Sequence, residues 1–254
     1  MNSATLPPAL RATAAVARPL LAAASGLVGI AALAYLIGWK ETSPYYSAFG
    51  APWVTSLLSP SRLAQSSAWV IWITLIFAFT SIYSIATFNT THHGMRKWGI
   101  ITLSVGLAIG AFDAFKPEWL SMQVKALLLS LAAVLFAVSA GLTIAEVIAR
   151  FKEDGFRWHS YYLWLFYFVV MLTFHWAPAR MGEARARLNM LSETTSLPAV
   201  RVKDPANTQE WRLLEVLEGH AVLVVLGKSR DLNEFRVIPL SELQSVRSTR
   251  KPPA

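Results

Sequence analysis

The chain has no cysteine and few charged residues. Without cysteine, its 254 residues cannot form a disulfide, a cysteine-ligated zinc site, an iron–sulfur cluster or a thiol nucleophile. Charged residues make up 15% of the sequence, against roughly 25% in a soluble globular protein, and hydrophobic residues make up 54%. A chain of this composition has to place long segments in lipid, which excludes a soluble enzyme and predicts a membrane protein.

The common catalytic motifs are absent as well. The sequence has no phosphate-binding G-x-x-x-x-G-K-[ST], no G-x-S-x-G, no H-E-x-x-H and no dinucleotide fingerprint. Its C-terminal part has nearly balanced charge and one tryptophan, instead of the basic face and stacking platform of a nucleic-acid-binding protein. We therefore expect no cofactor and no nucleic-acid partner, and a non-enzymatic function is favoured over an enzymatic one.

Long apolar runs fill the chain up to residue 180. Each is close to the roughly 20 residues that a helix needs to cross a bilayer. The runs are Leu20–Gly38, Ser67–Phe88, Trp98–Phe115, Ala126–Ile148 and Ser160–Ala177. No proline lies inside a run, and tryptophans lie at the run edges, where amphipathic rings favour the headgroup region. The sequence predicts an all-α membrane bundle of about five transmembrane helices.

Basic residues before the first run indicate its orientation. Arg11 and Arg18 precede this run, and no acidic residue occurs before Glu41. By the positive-inside rule the N-terminus is cytoplasmic, and five spans then place the C-terminus outside. With these two arginines included, lysine and arginine near the spans are evenly divided, seven on each side. The nearly uncharged first loop decides this interpretation, and the cluster of Arg180, Arg185 and Arg187 favours the opposite orientation. We expect a multi-pass protein of the inner cell membrane.

The pattern changes after residue 180. A polar connector over 181–198 precedes short β-rich runs, which are Ala199–Lys203, Trp211–Leu217, Ala221–Leu226, Phe235–Ile238 and a last strand near Val246. Gly219 lies between two of these runs and predicts a tight hairpin, because glycine readily adopts a positive φ. We predict a transmembrane bundle over 1–180, a small barrel-like or curled-sheet β module over 199–247 and a disordered tail over 248–254.

Polar residues at the span ends form a candidate ion or proton site. Glu41, Asp113, Lys125 and His175 all fall at span ends on the side opposite the N-terminus. A histidine beside a carboxylate can relay protons or bind a cation. Span ends collect polar residues in membrane proteins generally, so a purely interfacial role remains an alternative.

Three histidines on the other side are weak candidates for metal ligands. His92, His93 and His159 come from two loops, and carboxylates occur near His159. Imidazole with carboxylate can bind a metal. Adjacent histidines point in different directions, and none of the spacings typical of zinc sites is present. We therefore predict no metal site.

Small residues repeat at four-residue spacing in three of the runs. Gly106 and Gly110 form a GxxxG motif in the third run, and Gly26 and Gly141 each follow an alanine at the same spacing. Such faces let helix backbones approach closely. The sequence leaves open whether the contact lies within one bundle, between copies of the chain or with a partner.

The first loop is rich in aromatic residues. Tyr45, Tyr46, Phe49 and Trp53 surround a glycine and a proline in a connection with little charge. Tyrosine and tryptophan favour the headgroup depth, and Phe49 needs apolar cover. We predict an interfacial cap on the bundle, with partner docking as the alternative.

These features favour a non-enzymatic multi-pass membrane protein. In this hypothesis the bundle sits in the lipid bilayer and anchors the β module, which serves protein interaction or assembly with a partner or a second copy. A β module of this size buries little core of its own and needs external support. The alternative is a transporter or channel subunit that uses the polar residues at the span ends.

Overall fold

The computed structural model describes residues 8–88, 91–115, 120–154, 160–190, 196–203, 209–227 and 230–247. Within these ranges, side chains are described except at residues 8–25, 92, 113–114, 151–154, 160–162 and 230. The described chain is mostly helical and ends in an antiparallel sheet of five strands.

Helices make up the first part of the chain. They are α1 (Pro8–Phe49), α2 (Trp53–Leu57), α3 (Pro60–Ser66), α4 (Ala68–Phe88), α5 (His92–Ala114), α6 (Met122–Asp154), α7 (Ser160–Met171) and α8 (Ala177–Met190). A π-helical turn over Leu172–Trp176 joins α7 to α8 without a break. The short helices α2 and α3 occupy most of the connection between α1 and α4.

Three of the described helices are long and apolar enough to cross a membrane. They are Ala68–Phe88 in α4, His93–Phe112 in α5 and Met122–Arg150 in α6. The prediction of a membrane protein is supported to this extent, and the prediction of about five spans is not confirmed. The first six residues of the first predicted span and the start of the fifth lie where side chains are not described.

The bundle is built around α6, which packs against α4, α5 and α8. Its small residues and Phe136 are buried in this contact. Hydroxyl groups link the helices, because Ser139 Oγ donates to the Gly99 carbonyl oxygen at 2.9 Å and Thr173 Oγ1 donates to the Phe136 carbonyl oxygen at 3.0 Å. Such bonds pair side-chain hydroxyls that would otherwise be unsatisfied in an apolar environment.

Several prolines that we expected outside the spans lie in helices, and Pro44 and Pro178 are two of them. Pro44 lies in α1, and the helix continues to Phe49. An interior proline costs about 3 kcal/mol, and burial of the following turn, with Tyr46 and Phe49, offsets that cost. Pro178 lies near the start of α8, just after the π-helical turn. A π turn changes the local hydrogen-bond spacing, which accommodates a residue without an N–H.

The C-terminal strands form one antiparallel sheet. The strands are β1 (Ala199–Val202), β2 (Trp211–Leu217), β3 (His220–Val225), β4 (Glu234–Pro239) and β5 (Leu243–Arg247). Their order is β4-β3-β2-β1-β5. The predicted strand positions are confirmed to within one or two residues, and Gly219 turns the β2–β3 hairpin with φ of 75°.

The sheet is not closed, so the barrel that the sequence allowed does not form. In a closed barrel the first and last strands of the order would pair, whereas β4 and β5 end the sheet at opposite edges. One face has its own small core, which includes Val200, Trp211 and Leu223. The other face, with Val222 and Val224 of β3, packs against the helices.

The predicted connector is helical over much of its length. Residues 181–190 belong to α8, so the proposed boundary near residue 180 falls inside a helix. Gly182, Ala184 and Ala186 are buried in the contact of α8 with its neighbours, which explains why this polar stretch is ordered. α8 therefore extends from the bundle to the sheet.

Candidate functional site

The largest contact between the helices and the sheet is a buried apolar cluster, which we call the junction. It brings together the end of α1, the helices α2, α3 and α8, and one face of the sheet. Its buried members are Tyr46, Phe49, Ala51, Val54, Leu58, Leu63, Ala186, Leu197, Leu214, Val222 and Val224. The sheet thus gains apolar cover from helical residues, which a module of its size needs.

Two charged side chains meet Tyr46 at the edge of the junction. The Tyr46 hydroxyl donates to Glu215 Oε2 at 2.5 Å, and Arg62 Nη2 donates to Glu215 Oε1 at 3.2 Å. Burial raises the pKa of Tyr46, and the neighbouring Glu215 carboxylate raises this pKa further. The tyrosine therefore stays protonated and keeps its donor role. The Glu215 carboxylate of the sheet is thus bound by Tyr46 of α1 and by Arg62 of α3.

A β-bulge places Glu215 at this contact. The register of β2 against β3 shifts between Leu213 and Glu215. Leu214 enters the junction, and both Leu214 and Glu215 line the same cavity beside the helices. In a regular strand, successive side chains point to opposite faces, so the bulge explains why two neighbours reach the same side.

A second polar contact ties the start of the sheet to α8. Asn189 is buried, and its Nδ2 donates to the Tyr45 hydroxyl at 3.1 Å. Asn189 Oδ1 accepts from the backbone N–H of Ser196 at 3.2 Å and from the Ser196 hydroxyl at 2.8 Å. Burial raises the pKa of Tyr45. One asparagine thus joins α1, α8 and the segment before β1.

Glu41 is a buried carboxylate next to the junction. It is 4% exposed, with Arg185 Nη1 at 3.7 Å and Trp69 Nε1 at 3.5 Å from its oxygens. Burial raises the pKa of Glu41, while the Trp69 hydrogen bond and the Arg185 charge oppose the increase. α1 and α8 are in close contact here, because a Cβ at Gly182 would collide with the Glu41 carbonyl oxygen.

Two cavities share Glu41. One, of about 460 Å³, lies between the helices and β2 and is also lined by Tyr45, Asn189 and Glu215. The other, of about 360 Å³, lies among α1, α4, α6 and α8. Arg185 also lines both cavities. The Glu41–Arg185 ion pair therefore lies between the cavity near the sheet and the cavity within the bundle.

The other predicted members of the ion or proton site lie apart from Glu41. Lys125 lines a third cavity, beside Trp176 and α8. His175 is exposed on the π-helical turn and lines none of these three cavities. The side chain of Asp113 lies outside the described residues. The structure therefore does not bring Glu41, Lys125 and His175 together in one pocket.

The candidate metal ligands cannot be assembled from the described side chains. His93 is exposed at the start of α5, the side chain of His92 is not described, and His159 lies outside the described residues. Within the part of the chain that the structure describes, no group of three or more histidine and acidic side chains could hold a metal ion.

Three of the four candidate packing glycines lie at helix contacts within the chain. A Cβ at Gly106 would lie 2.8 Å from Phe136, one at Gly110 would lie 2.9 Å from Trp176, and one at Gly141 would lie 2.6 Å from the Thr74 carbonyl oxygen. These contacts correspond to the first alternative, packing within one bundle. Gly26 differs, because nothing described lies within 4 Å of its added Cβ.

The aromatic residues of the predicted interfacial cap have a different environment. Tyr45, Tyr46 and Phe49 lie on the last turns of α1, not in a loop, and Trp53 begins α2. Phe49 is fully buried, and Trp53 packs edge-on against Phe235 of β4 at 6.3 Å between ring centres. Their apolar cover comes from the sheet and its neighbours. Sequence reasoning placed this cover in the headgroup layer because the sheet residues are so distant along the chain.

Four polar residues that line the cavity beside the junction were not among the predicted site residues. These are Arg62, Arg185, Asn189 and Glu215. The one available signal was Glu215, a carboxylate inside the otherwise apolar stretch Leu213–Leu217. An acidic side chain there indicates a contact that requires charge, but its partners on α1 and α3 are set only by the tertiary fold.

Comparisons of the chain with protein-family models, curated proteins and solved structures found no match. The geometry alone therefore supports the functional argument. Apolar packing, the Arg62–Glu215 ion pair and hydrogen bonds connect the helices to the sheet at and beside the junction.

Proposed function

We propose that the chain is a non-enzymatic, multi-pass membrane protein whose helical bundle anchors the C-terminal sheet for binding to a protein partner. The proposal includes five spans, a cytoplasmic N-terminus and a sheet on the opposite side. It is supported by the position of the sheet, which packs at the end of the bundle where α1 connects to α4. An odd number of spans places that end opposite the N-terminus.

The observation that carries the proposal is the uncovered edge of β5. In the described sheet, β5 pairs with β1 on one side and with no strand on the other. Gln244 is exposed, and Val246 is 51% exposed. The backbone groups of an edge strand can pair with an added strand from another chain. A partner that offers an extended segment fits this edge.

The opposite edge is in a different environment. β4 lies beside the helices, because Phe235 contacts Trp53 and Asn233 Nδ2 donates to the Phe49 carbonyl oxygen at 2.9 Å. Gln244 and Val246 of β5 do not belong to the junction. The described helices therefore contact the β4 side of the sheet, and no described strand pairs with the outer edge of β5.

Single-cysteine cross-linking tests this proposal, since the chain has no cysteine of its own. Val246→Cys places a thiol on the β5 edge, and Glu218→Cys places one on the exposed tip of the β2–β3 hairpin as a matched control. In intact membranes with a short bifunctional reagent, we expect a product of defined size from Val246→Cys and none from Glu218→Cys. Mass spectrometry of the product distinguishes a different protein from a second copy.

Two results contradict the proposal. One is the absence of any product from Val246→Cys although a small thiol reagent labels the position. The other is the same set of products from both positions, which indicates random collision instead of binding at β5.

A transporter or channel subunit is the second candidate, and the two cavities that share Glu41 favour it. A buried carboxylate between two cavities is suited to passing a cation or proton from one to the other. The test is ion flux in proteoliposomes, with Glu41→Gln compared with Lys40→Gln. A flux that only Glu41→Gln abolishes supports transport, and the absence of flux from the wild-type protein rejects it.

A further inference from the structure

The third cavity lies at the level where two candidate spans end. Its volume is about 330 Å³, and it is bounded by Gly110 of α5, the start of α6, Trp176 and α8. The candidate span of α5 ends at Phe112, and that of α6 begins at Met122. Because span ends lie near the lipid headgroups, this cavity is at the depth of the lipid phosphates.

The lining of this cavity has an excess of positive charge. Lys125, Arg180 and Arg187 contribute three cations, and Glu183 contributes one carboxylate. Glu183 binds both arginines, with Arg180 Nη1 at 3.3 Å from Oε2 and Arg187 Nη2 against Oε1. Two guanidinium groups carry more N–H donors than one carboxylate can accept, so donors remain for a second anion.

The spacing on α8 keeps these charges together. Arg180 and Arg187 lie three residues before and four residues after Glu183, so all three side chains share one side of the helix. Within the described residues, the Lys125 ammonium group has no carboxylate partner. A phosphate in the cavity would bring this lysine and the arginine pair to one ligand.

The remainder of the lining is apolar. Met122, Ala126 and Leu129 of α6 line the cavity, and the Trp176 ring lies beneath Arg180, with 5.9 Å between the guanidinium carbon and the ring centre. Gly110 makes room for that ring, because a Cβ there would press on Trp176. The cavity thus combines a cationic part with an apolar part.

The outer surface beside the cavity continues this apolar character. Phe112 of α5 is 39% exposed, and Leu127 of α6 is 67% exposed. These residues belong to candidate spans, and in a helix that crosses the bilayer their exposed sides would face the acyl chains. A molecule with a phosphate headgroup and acyl chains can satisfy both the cationic cavity and this adjoining surface.

We propose that the cavity lined by Lys125, Arg180 and Arg187 binds the phosphate group of an anionic phospholipid. Arginine provides a planar fork of donors for phosphate oxygens, and lysine adds a point charge. Basic pockets between membrane helices are suited to anionic headgroups. The inference does not depend on the function of the sheet, and its test does not involve β5.

Lipid retention by the full-length protein tests this inference. The protein is reconstituted in nanodiscs with equal amounts of phosphatidylcholine and phosphatidylglycerol, extracted gently and examined by native mass spectrometry. We expect preferential retention of phosphatidylglycerol. Each basic residue near an anionic lipid contributes roughly fivefold to binding. Lys125→Gln should therefore reduce the retention of phosphatidylglycerol about fivefold. The double variant Lys125→Gln with Arg187→Gln should reduce it further.

Lys97→Gln is the matched control. Lys97 is an exposed lysine near the other end of the α5 span, far from this cavity along the helix, and its substitution should leave retention unchanged. Equal retention of the two lipids by the wild-type protein, or equal loss in the Lys97 and Lys125 variants, would overturn the proposal. A separate arm adds inorganic phosphate. If phosphate alone displaces the lipid at millimolar concentration, the site recognises free phosphate and the lipid assignment is wrong.

Discussion

The exposed apolar surface of the candidate span α4 and the junction use the same kinds of residue in opposite ways. On α4, Trp72 and Phe79 are more than 60% exposed, whereas Thr74 and Ser81 are buried. At the junction, Phe49 is fully buried. The difference follows from the surroundings, because lipid accepts apolar side chains on the outside of a bundle, whereas water drives them into a core. An exposed aromatic residue therefore costs little free energy on a helix surface in lipid, whereas it would be unfavourable at the junction, where water would contact it.

The largest expected effect is a loss of stability on removing an aromatic ring, which should be large at the junction and small on α4. Phe49→Ala removes a fully buried ring from the junction and should reduce the free energy of unfolding by about 3–5 kcal/mol. Phe79→Ala removes a ring that is 67% exposed on α4 and should cost less than about 1 kcal/mol. Thermal unfolding of both variants in mild detergent provides the comparison. Equal losses would mean that the junction is not a packed core.

A smaller effect concerns the contact of α1 with α8. Gly182→Ala introduces a Cβ where the Glu41 carbonyl oxygen lies, and overpacking of this kind typically costs about 1–3 kcal/mol. Gly26→Ala is the matched control in open space, and alanine there should stabilise the helix slightly. The melting temperature should fall for the first variant only. A Gly182→Ala protein as stable as the Gly26→Ala protein would show that the two helices are further apart.

The smallest expected effect is that Glu41→Gln changes how the melting temperature depends on pH. Burial raises the pKa of Glu41 above its ordinary value of 4.5, so the folded protein binds this proton more readily than the unfolded chain. The stabilisation from the group is complete below the ordinary pKa and is lost as the pH rises through the folded pKa. Glu41→Gln cannot titrate, so its melting temperature should lack this decline.

The control for this experiment is an exposed carboxylate. Glu218→Gln changes the same type of residue at the hairpin tip, and its curve of melting temperature against pH should follow that of the wild-type protein. If the Glu41→Gln curve also runs parallel to the wild-type curve, Glu41 does not titrate differently in the folded state.

The same two regions differ in how much the sequence can predict. The strands of the sheet were predicted because short β-rich runs and the turn at Gly219 are local signals. Three of the five apolar runs correspond to helices long and apolar enough to span, since the length and composition of a run are local too. Closure of the sheet was not predictable, because it depends on whether β4 and β5 meet.

The junction depends on contacts between distant parts of the chain. Pro44 is a local signal for a helix end, but α1 continues past it because Tyr46 and Phe49 pack against the sheet. The residues that cover Phe49 include Val222 and Val224, which lie far along the chain. No pattern in the first loop points to them. The sequence analysis therefore identified the aromatic residues but not their place on α1 and α2 or their contact with the sheet, and their position at the headgroup depth stays a prediction.

The central claim is that the sheet is held against the helices, and a double-mutant cycle between Tyr46 and Glu215 tests it most directly. The two side chains are joined by a hydrogen bond of 2.5 Å between α1 and β2. Unfolding free energies of the wild-type protein, Tyr46→Phe, Glu215→Leu and the double variant yield the coupling between them, because leucine has no acceptor for the tyrosine hydroxyl. We predict a coupling of about 1.5–3 kcal/mol, as for a hydrogen bond to a charged group. Additive effects of the two substitutions would contradict the contact and, with it, the anchoring of the sheet at the junction.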